Sequence, residues 1–287
     1  AITTYPDREY TSLRKCIADY VHTNYKNIVV GNGSTELISL FIQITHPMKA
    51  LIVGPTYSEY EREVAMGGGR SHYFSLTEAS EFELDTKALT EELSANVDLL
   101  ILCNPNNPTS SVIKRQQMRE ILDYCKRKSI TVLVDETYVE FTNTKIYSST
   151  PLVDKHDNLF VIRGTSKFFS TPGIRLGYGL IGNKEVKNKI NENLDLWNIN
   201  IIAASMGEIM FLDNMFIFKT IDAMLRERDY LTNELSTIND LTVYPSKGNF
   251  ILCKISSKKF TAKELRDKLL PEKIIIRDCN SFEGLSE

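Results

Sequence analysis

The feature that most constrains this chain is a series of short apolar runs that each end in turn or polar residues. They occupy residues 28–30, 50–53, 71–76, 98–103, 130–134, 159–162 and 176–181. Stretches of helical period lie between most of them, at residues 34–44, 58–66, 86–93 and 115–128. Strands alternating with helices predict a mainly parallel central sheet with both faces covered. Leu99-Leu100-Ile101-Leu102 is apolar throughout, as a strand buried on both faces requires. After Gly182 the pattern changes. Residues 184–195 read as a charged amphipathic helix and residues 201–235 as largely helical. Short strands are expected at 241–243, 250–254 and 274–277, with a helix at 262–270. The expected organisation is an α/β domain over residues 1–212 and a smaller α+β domain over 213–287.

Composition excludes several classes. With 42% apolar and 25% charged residues, the chain is ordinary globular material. A net charge of −3 gives no general attraction to nucleic acid or anionic lipid. No apolar stretch approaches the ~18 residues of a membrane span. The polar start Ala1-Ile2-Thr3-Thr4 has no signal-peptide character and no initiator Met, so a piece of a longer protein is expected. Cys16, Cys103, Cys125, Cys253 and Cys279 are scattered, which predicts free thiols in a reducing, cytoplasmic setting. The four histidines show no metal-ligand spacing. Gly31-Asn32-Gly33-Ser34-Thr35-Glu36 lacks the third glycine of a dinucleotide fingerprint.

Four segments sit at strand ends, where open α/β sheets place ligands. Gly31-Asn32-Gly33-Ser34-Thr35 opens a helix and reads equally as an anion cradle or as a Ser/Thr helix cap. Asn104-Pro105-Asn106-Asn107-Pro108-Thr109 presents side-chain amides on a proline-stiffened loop. Asp135, ending an apolar strand, is costly unless paired, so a cation, supplied by the protein or by a ligand, is expected beside it. Lys167 follows a strand and two hydroxyl residues, and Arg175 comes eight residues later. Between two strands of the sheet Lys167 is expected to be partly desolvated, as a nucleophilic amine requires. An anion cradle, a buried carboxylate, an amide loop, a lysine and a second cation are together what pyridoxal 5′-phosphate needs of its protein.

The N-P-N-N-P-T, D-E-x-Y and S-K-(x)₇-R segments, in this order, are specific in combination. On them the chain resembles the fold type I, aspartate aminotransferase-like enzymes of the class I/II aminotransferase family, nearest to the branch of histidinol-phosphate aminotransferase and threonine-phosphate decarboxylase. The resemblance runs from Tyr5-Pro6-Asp7 to Phe282-Glu283-Gly284-Leu285. It implies a pyridoxal phosphate enzyme with Lys167 as the Schiff-base lysine and proton carrier, and Asp135 against the pyridinium nitrogen. Such an ion pair, at about 4 Å in an effective dielectric near 20, is worth ~4 kcal/mol. Asn107 and Tyr138 would hydrogen-bond the phenolic oxygen, and Tyr57 would stack on the ring. Gly33, Ser34, Thr35, Ser166 and Arg175 would hold the phosphate. Tyr5 would reach the phosphate of a neighbouring subunit, which implies a homodimer. Arg277, with Asn107, would contact an anionic amino substrate.

The chain also departs from the family pattern. Ser110 stands where the family usually has glycine after N-P-x-N-P-T. The substrate-binding segment before Y-P-D and the arginine strand after G-L are not in the sequence, which again leads us to expect a piece of a longer or fused protein. Tyr138 resembles the aminotransferases. Lys167-Phe168-Phe169, Pro172-Gly173 and Trp197-Asn198-Ile199-Asn200 resemble the decarboxylase. The leading expectation is an aminotransferase, with the decarboxylase as the alternative and a non-catalytic module of the same fold behind both.

Overall fold

The computed structural model describes residues 3–93, 96–257 and 259–285. Helix α1 (Thr11–Val21) precedes β1 (Ile28–Asn32). Then follow α2 (Ser34–Thr45), β2 (Lys49–Gly54), α3 (Glu59–Met66), β3 (Arg70–Ser75), α4 (Thr86–Glu92), β4 (Leu99–Cys103), α5 (Arg115–Arg127) and β5 (Thr131–Asp135). A 3-10 turn (Val139–Phe141) and the short α6 (Thr144–Tyr147) lead to β6 (Leu159–Gly164) and β7 (Leu176–Ile181). All seven expected strands of the first part are present. Helix α1, which the sequence reading did not name, buries Leu13, Ile17, Ala18 and Val21 along one face.

The seven strands form one sheet in the order β1-β7-β6-β5-β4-β2-β3. Pairs β2–β3, β2–β4, β4–β5 and β5–β6 are parallel, whereas β7 is antiparallel to both β6 and β1. Strand β7 alone therefore runs against the others, and its first residue lies at the edge where the other strands end. Alternate residues feed two cores. Leu100, Leu102, Val132 and Val134 pack on one face, and Leu99, Ile101, Leu133 and Ile162 on the other. Both faces are dry, which accounts for the continuous apolar runs.

Beyond the sheet come α7 (Lys184–Asn193), α8 (Ile201–Met210), α9 (Asn214–Ser236), the antiparallel pair β8 (Leu241–Val243) and β9 (Cys253–Ile255), and α10 (Ala262–Leu269). The helical stretch expected at 201–235 is broken into α8 and α9, bent by 76°. No single helix among the described residues is long and apolar enough to cross a membrane. Two strand expectations shift. The ladder of β9 starts at Cys253, not Phe250, because residues 246–250 are held in a turn by other bonds. Residues 274–277 form no strand: Ile275 is 81% exposed, and no sheet edge is paired with it among the described residues. An apolar β-branched run becomes a strand only where such an edge is offered.

The strand ends are braced by a buried charge cluster on the sheet face opposite Asp135. Arg163 Nη2 donates to Glu136 Oε2 at 2.8 Å, to Ser148 Oγ at 2.7 Å and to Thr150 Oγ1 at 3.0 Å. Arg163 Nη1 lies 3.7 Å from Glu140 Oε1, and the buried Glu140 Oε2 has no hydrogen-bond partner among the described residues. Burial works against the Arg163 charge, but the neighbouring carboxyl groups of Glu136 and Glu140 outweigh it and hold the guanidinium charged. Two carboxylates share one cation, and burial, with Glu136 adding to it, pushes Glu140 up to about 7 from an ordinary 4.5. A carboxyl with a raised folded-state pKa holds more protons than the unfolded chain between those two values. Stability is therefore greatest below the lower value and falls by ~3 kcal/mol as pH rises through the interval. Glu140→Gln should abolish that fall. Urea midpoints of variant and wild type should agree near pH ~5 and separate in the variant's favour near pH ~8.

Candidate active site

The ends of β1, β2, β4, β5 and β6 and the start of β7 meet at one sheet edge, around a cavity of about 280 Å³. Its lining includes Gly33, Ser34, Thr35, Tyr57, Asn107, Asp135, Tyr138, Ser166, Lys167 and Arg175. The fold therefore brings together ten of the residues singled out in the sequence from six separate segments. It does not bring Tyr5 or Arg277 to this cavity. Tyr5 is 75% exposed and stacks on Trp197 with ring centroids 4.0 Å apart. Arg277 is exposed in the C-terminal segment, where it donates to Ser281 Oγ at 2.7 Å and lies over the Phe282 ring.

At the β1–α2 corner, Gly33 has φ +84°, and a Cβ there would lie 2.3 Å from Arg175 Nη2. The positive φ calls for glycine here, and a side chain would also displace the guanidinium from its place beside the corner. Gly33 holds the cap position of α2 and no side-chain cap bond forms there among the described residues, so the Ser/Thr cap reading fails, and the start of this twelve-residue helix, at Ser34 and Thr35, lines the cavity. Unspent amides, a helix N-terminus and Arg175 make a cradle for a dianion. The corner is seated against β7, where Gly31 pairs with Gly177 and Asn32 with Leu176. A Cβ on Gly177 would fall 2.3 Å from the Ser34 nitrogen and 2.4 Å from the Gly33 carbonyl carbon.

At the end of β5, Asp135 is buried at 5% exposure. Among the described residues its partners are neutral donors, so the cation expected beside it is not a protein side chain. Asp135 Oδ2 accepts from the Tyr60 hydroxyl at 2.7 Å, while Oδ1 accepts from Thr137 N at 2.9 Å and Thr137 Oγ1 at 2.5 Å. These neutral donors lower its pKa but do not offset burial, which raises it above the ordinary carboxylate range. Tyr60 and Thr137 were missed in the sequence: Thr137 is the unspecified position of D-E-x-Y, and Tyr60 arrives from α3, far off in the chain. Tyr57 stands edge-on to Tyr60, with centroids 5.6 Å apart. Burial raises the pKa of Tyr57, Tyr60 and Tyr138, so all three are phenols at neutral pH. Cys103 also lines the cavity, but burial pushes its thiol up to about 12, which removes it as a nucleophile.

The Asn107 loop is fastened from several sides. Asn104 Nδ2 donates to the carbonyls of Ile113 and Tyr147 at 3.1 and 2.9 Å, and Asn106 Nδ2 donates to the Pro55 carbonyl at 2.8 Å. On the β6–β7 loop, Thr165 N and Oγ1 both donate to the Leu176 carbonyl at 3.1 Å. Phe168 and Phe169 are buried beneath that loop, while Lys167 is exposed at the cavity rim. The apolar neighbours expected to desolvate Lys167 turn inward instead, and Lys167 stays exposed while lining the cavity.

These residues fit pyridoxal 5′-phosphate. The cradle at Gly33 suits an anion, Lys167 lines the cavity with an amine, and Asp135 is a buried carboxylate with no side-chain cation bonded to it among the described residues. The cradle can be checked by stability. Gly177→Ala should cost roughly 1–3 kcal/mol, because its obstacle is backbone that cannot step aside. Gly173→Ala, where nothing lies within 4 Å, should change stability by less than about 0.5 kcal/mol in the same urea titration.

Comparison with known proteins gives a consistent picture. The family described as aminotransferase class I and II matches residues 1–286. A Caldanaerobacter subterraneus protein that carries a provisional threonine-phosphate decarboxylase name is 40% identical over 287 residues, spanning 100% of this chain and 77% of that protein. Histidinol-phosphate aminotransferase of Clostridium kluyveri is 36% identical over 279 residues, 96% of this chain and 75% of that one. The crystal structure of histidinol-phosphate aminotransferase from Clostridium acetobutylicum superposes with a TM-score of 0.91 at 33% identity, covering 99% of this chain and 83% of the other. On the match across its length and on these relatives, the chain belongs to the class I and II aminotransferase family.

Proposed function

We propose that this protein is a pyridoxal phosphate-dependent aminotransferase that acts on a small phosphorylated amino substrate, in the manner of histidinol-phosphate aminotransferase. The observation that carries the reading is the convergence of Lys167, Asp135 and the Gly33–Arg175 cradle on one cavity. When bound, the cofactor supplies an electron sink that makes a bond at the substrate α-carbon labile. Lys167 Nζ is the group that would hold the cofactor aldehyde and would carry the proton at that α-carbon. Asp135, buried without a counterion, pairs with the protonated ring nitrogen, and Tyr60 and Thr137 hold its two oxygens in place. Asn107 and Tyr138 orient the phenolic oxygen. Tyr57 would stack on the ring, and Gly33, Ser34, Thr35, Ser166 and Arg175 would hold the phosphate.

Decarboxylation of a phosphorylated amino acid is the second reading. It is supported by the 40% identical relative and by the Lys167-Phe168-Phe169 and Trp197-Asn198-Ile199-Asn200 segments. A single turnover on cofactor-loaded protein separates the two. Histidinol phosphate should yield pyridoxamine phosphate and a keto product by mass spectrometry. Unchanged cofactor with a decarboxylated amine from phosphothreonine would instead establish the second reading. Lys167→Ala should lose the bound-cofactor absorbance and roughly 10²–10⁴-fold in turnover. Asp135→Asn should keep the fold and lose roughly 10²–10³-fold, the equivalent of the ~4 kcal/mol ion pair. Full turnover in either variant would overturn the assignment.

We further propose a cytoplasmic homodimer, with residues 213–287 as the small domain and Arg277 as a contact to the substrate's anionic end. Ile202, Met206 and Ile209 are exposed along one face of α8, and Tyr5 projects from its stack on Trp197. In this reading that face meets a second copy, and Tyr5 reaches the partner's phosphate site. Ile209→Asp should convert a dimer to a monomer in sedimentation. Tyr5→Phe should leave the dimer intact and weaken cofactor retention roughly 10-fold or more, as loss of a hydrogen bond to a charged group does. A monomer with full turnover would overturn the shared site.

A further inference from the structure

Ser110 directly follows the Asn104–Thr109 loop, and the fold gives it specific partners. It is fully buried and has φ +59°, a left-handed conformation that costs a non-glycine residue stability. Its hydroxyl oxygen accepts from the backbone N–H of Lys247 at 2.9 Å and of Gly248 at 2.6 Å. With both lone pairs engaged, its own proton goes to Ser246 Oγ at 3.0 Å, and Ser246 donates in turn to the Phe250 carbonyl at 2.6 Å.

The other side of the same turn is also held. Arg228, on α9, donates through Nη1 to the carbonyls of Lys247 at 2.8 Å, Gly248 at 3.1 Å and Phe141 at 3.4 Å. Ser110 thus takes the N–H groups of the turn and Arg228 its C=O groups. A Cβ on Gly248 would lie 3.1 Å from Ser110 Oγ, so the turn is pressed directly onto the hydroxyl. The elements joined are not remote from the cavity. Ser110 lies three residues beyond Asn107 and bonds through its N–H to Asn106 O at 2.7 Å. Phe250 packs edge-on to Tyr138 with centroids 4.9 Å apart. Phe141 closes the 3-10 turn that begins next to Tyr138.

We propose that Ser110 and Arg228 are positioning residues that clamp the turn at 246–250 between the Asn107 loop and the Tyr138 segment, setting both cavity residues from the C-terminal part of the chain. The clamp rests on the reading of the cavity given above, because Asn107 and Tyr138 are there the groups that face the phenolic oxygen. A hydroxyl that merely fills space gives no reason to accept a left-handed serine where glycine is free of strain. The clamp gives one: glycine cannot bond to the turn.

Two variants separate hydroxyl from backbone. Ser110→Ala removes the hydroxyl and keeps the strain, and Ser110→Gly removes both. If the hydroxyl positions the cavity, both should lower kcat roughly tenfold with KM changed less than about twofold. Both should also move the pH midpoint of the bound-cofactor absorbance by about half a unit or more, as altered hydrogen bonds to a titrating group do. Arg228→Gln should act in the same direction, with Arg228→Lys restoring part of the effect. Ile121→Val, in the core under α5, is the control: it should lower stability and leave the midpoint in place.

Hydrogen exchange on cofactor-free protein reads the clamp independently. In both Ser110 variants, exchange should quicken together at residues 104–111, 138–142 and 246–250. Quickening confined to 246–250, or an unchanged absorbance midpoint in both Ser110 variants, would overturn the proposal. Wild-type protein that takes up no cofactor would overturn the reading of the cavity instead, and exchange would still decide whether the clamp exists.

Discussion

The close passage of β7 beneath the β1–α2 corner is the contact on which the rest of the site depends. Gly177 has backbone of Gly33 and Ser34 where a side chain would begin, and Gly33 has the Arg175 guanidinium where its own would begin. Two glycines are therefore spent on letting one strand and one helix start approach within van der Waals distance. The return is electrostatic. Helix α2 aims its uncapped amides at a point where the residue preceding β7 supplies a full positive charge. This works only because β7 is reversed relative to its neighbours, so that its beginning, not its end, lies at the shared edge.

Alternation along β5 and past its end separates two kinds of buried charge by a single residue. Asp135 faces the cavity with neutral hydrogen-bond donors alone, while Glu136 turns to the opposite face and meets Arg163. One carboxylate is left able to receive a cation; the other ties β5 to β6 and to the segment that follows. The arrangement has a cost, since Glu140 shares the same guanidinium and keeps an unpartnered oxygen. A site assembled from strand ends needs such bracing, because loops have few contacts of their own to fix a side chain within the fraction of an ångström that chemistry requires.

Much of this was legible in the chain. The seven strands of the sheet appear as apolar runs because each is buried on both faces, and burial on both faces leaves no room for polar alternation. Asp135, the Asn104–Thr109 loop and Lys167 could be singled out because each lies at the end of an apolar run, and Arg175 because it comes just before one; Asn107 and Tyr138 were named through the family resemblance. Other parts were not legible, each for a local reason. Tyr60 is an unremarked tyrosine on a helix until α3 is laid against β5. The run at residues 274–277 has strand composition, but among the described residues no sheet edge pairs with it. The exposure of Lys167 depends on which way Phe168 and Phe169 turn, and the neighbouring cores decide that.

Ser110 shows the division most clearly. As a letter in the sequence it is only a mismatch to a motif, and its left-handed backbone and two amide partners exist only once α9 and the 246–248 turn have been brought against the Asn107 loop. The sequence by itself determined the α/β class, the strand inventory and the residue types gathered at the strand ends, because these follow from periodicity and from the cost of burying polar groups. The tertiary structure alone decided the direction of β7, the neutral company of Asp135 and the seating of Ser110, because each depends on the distance between segments that the chain order leaves far apart.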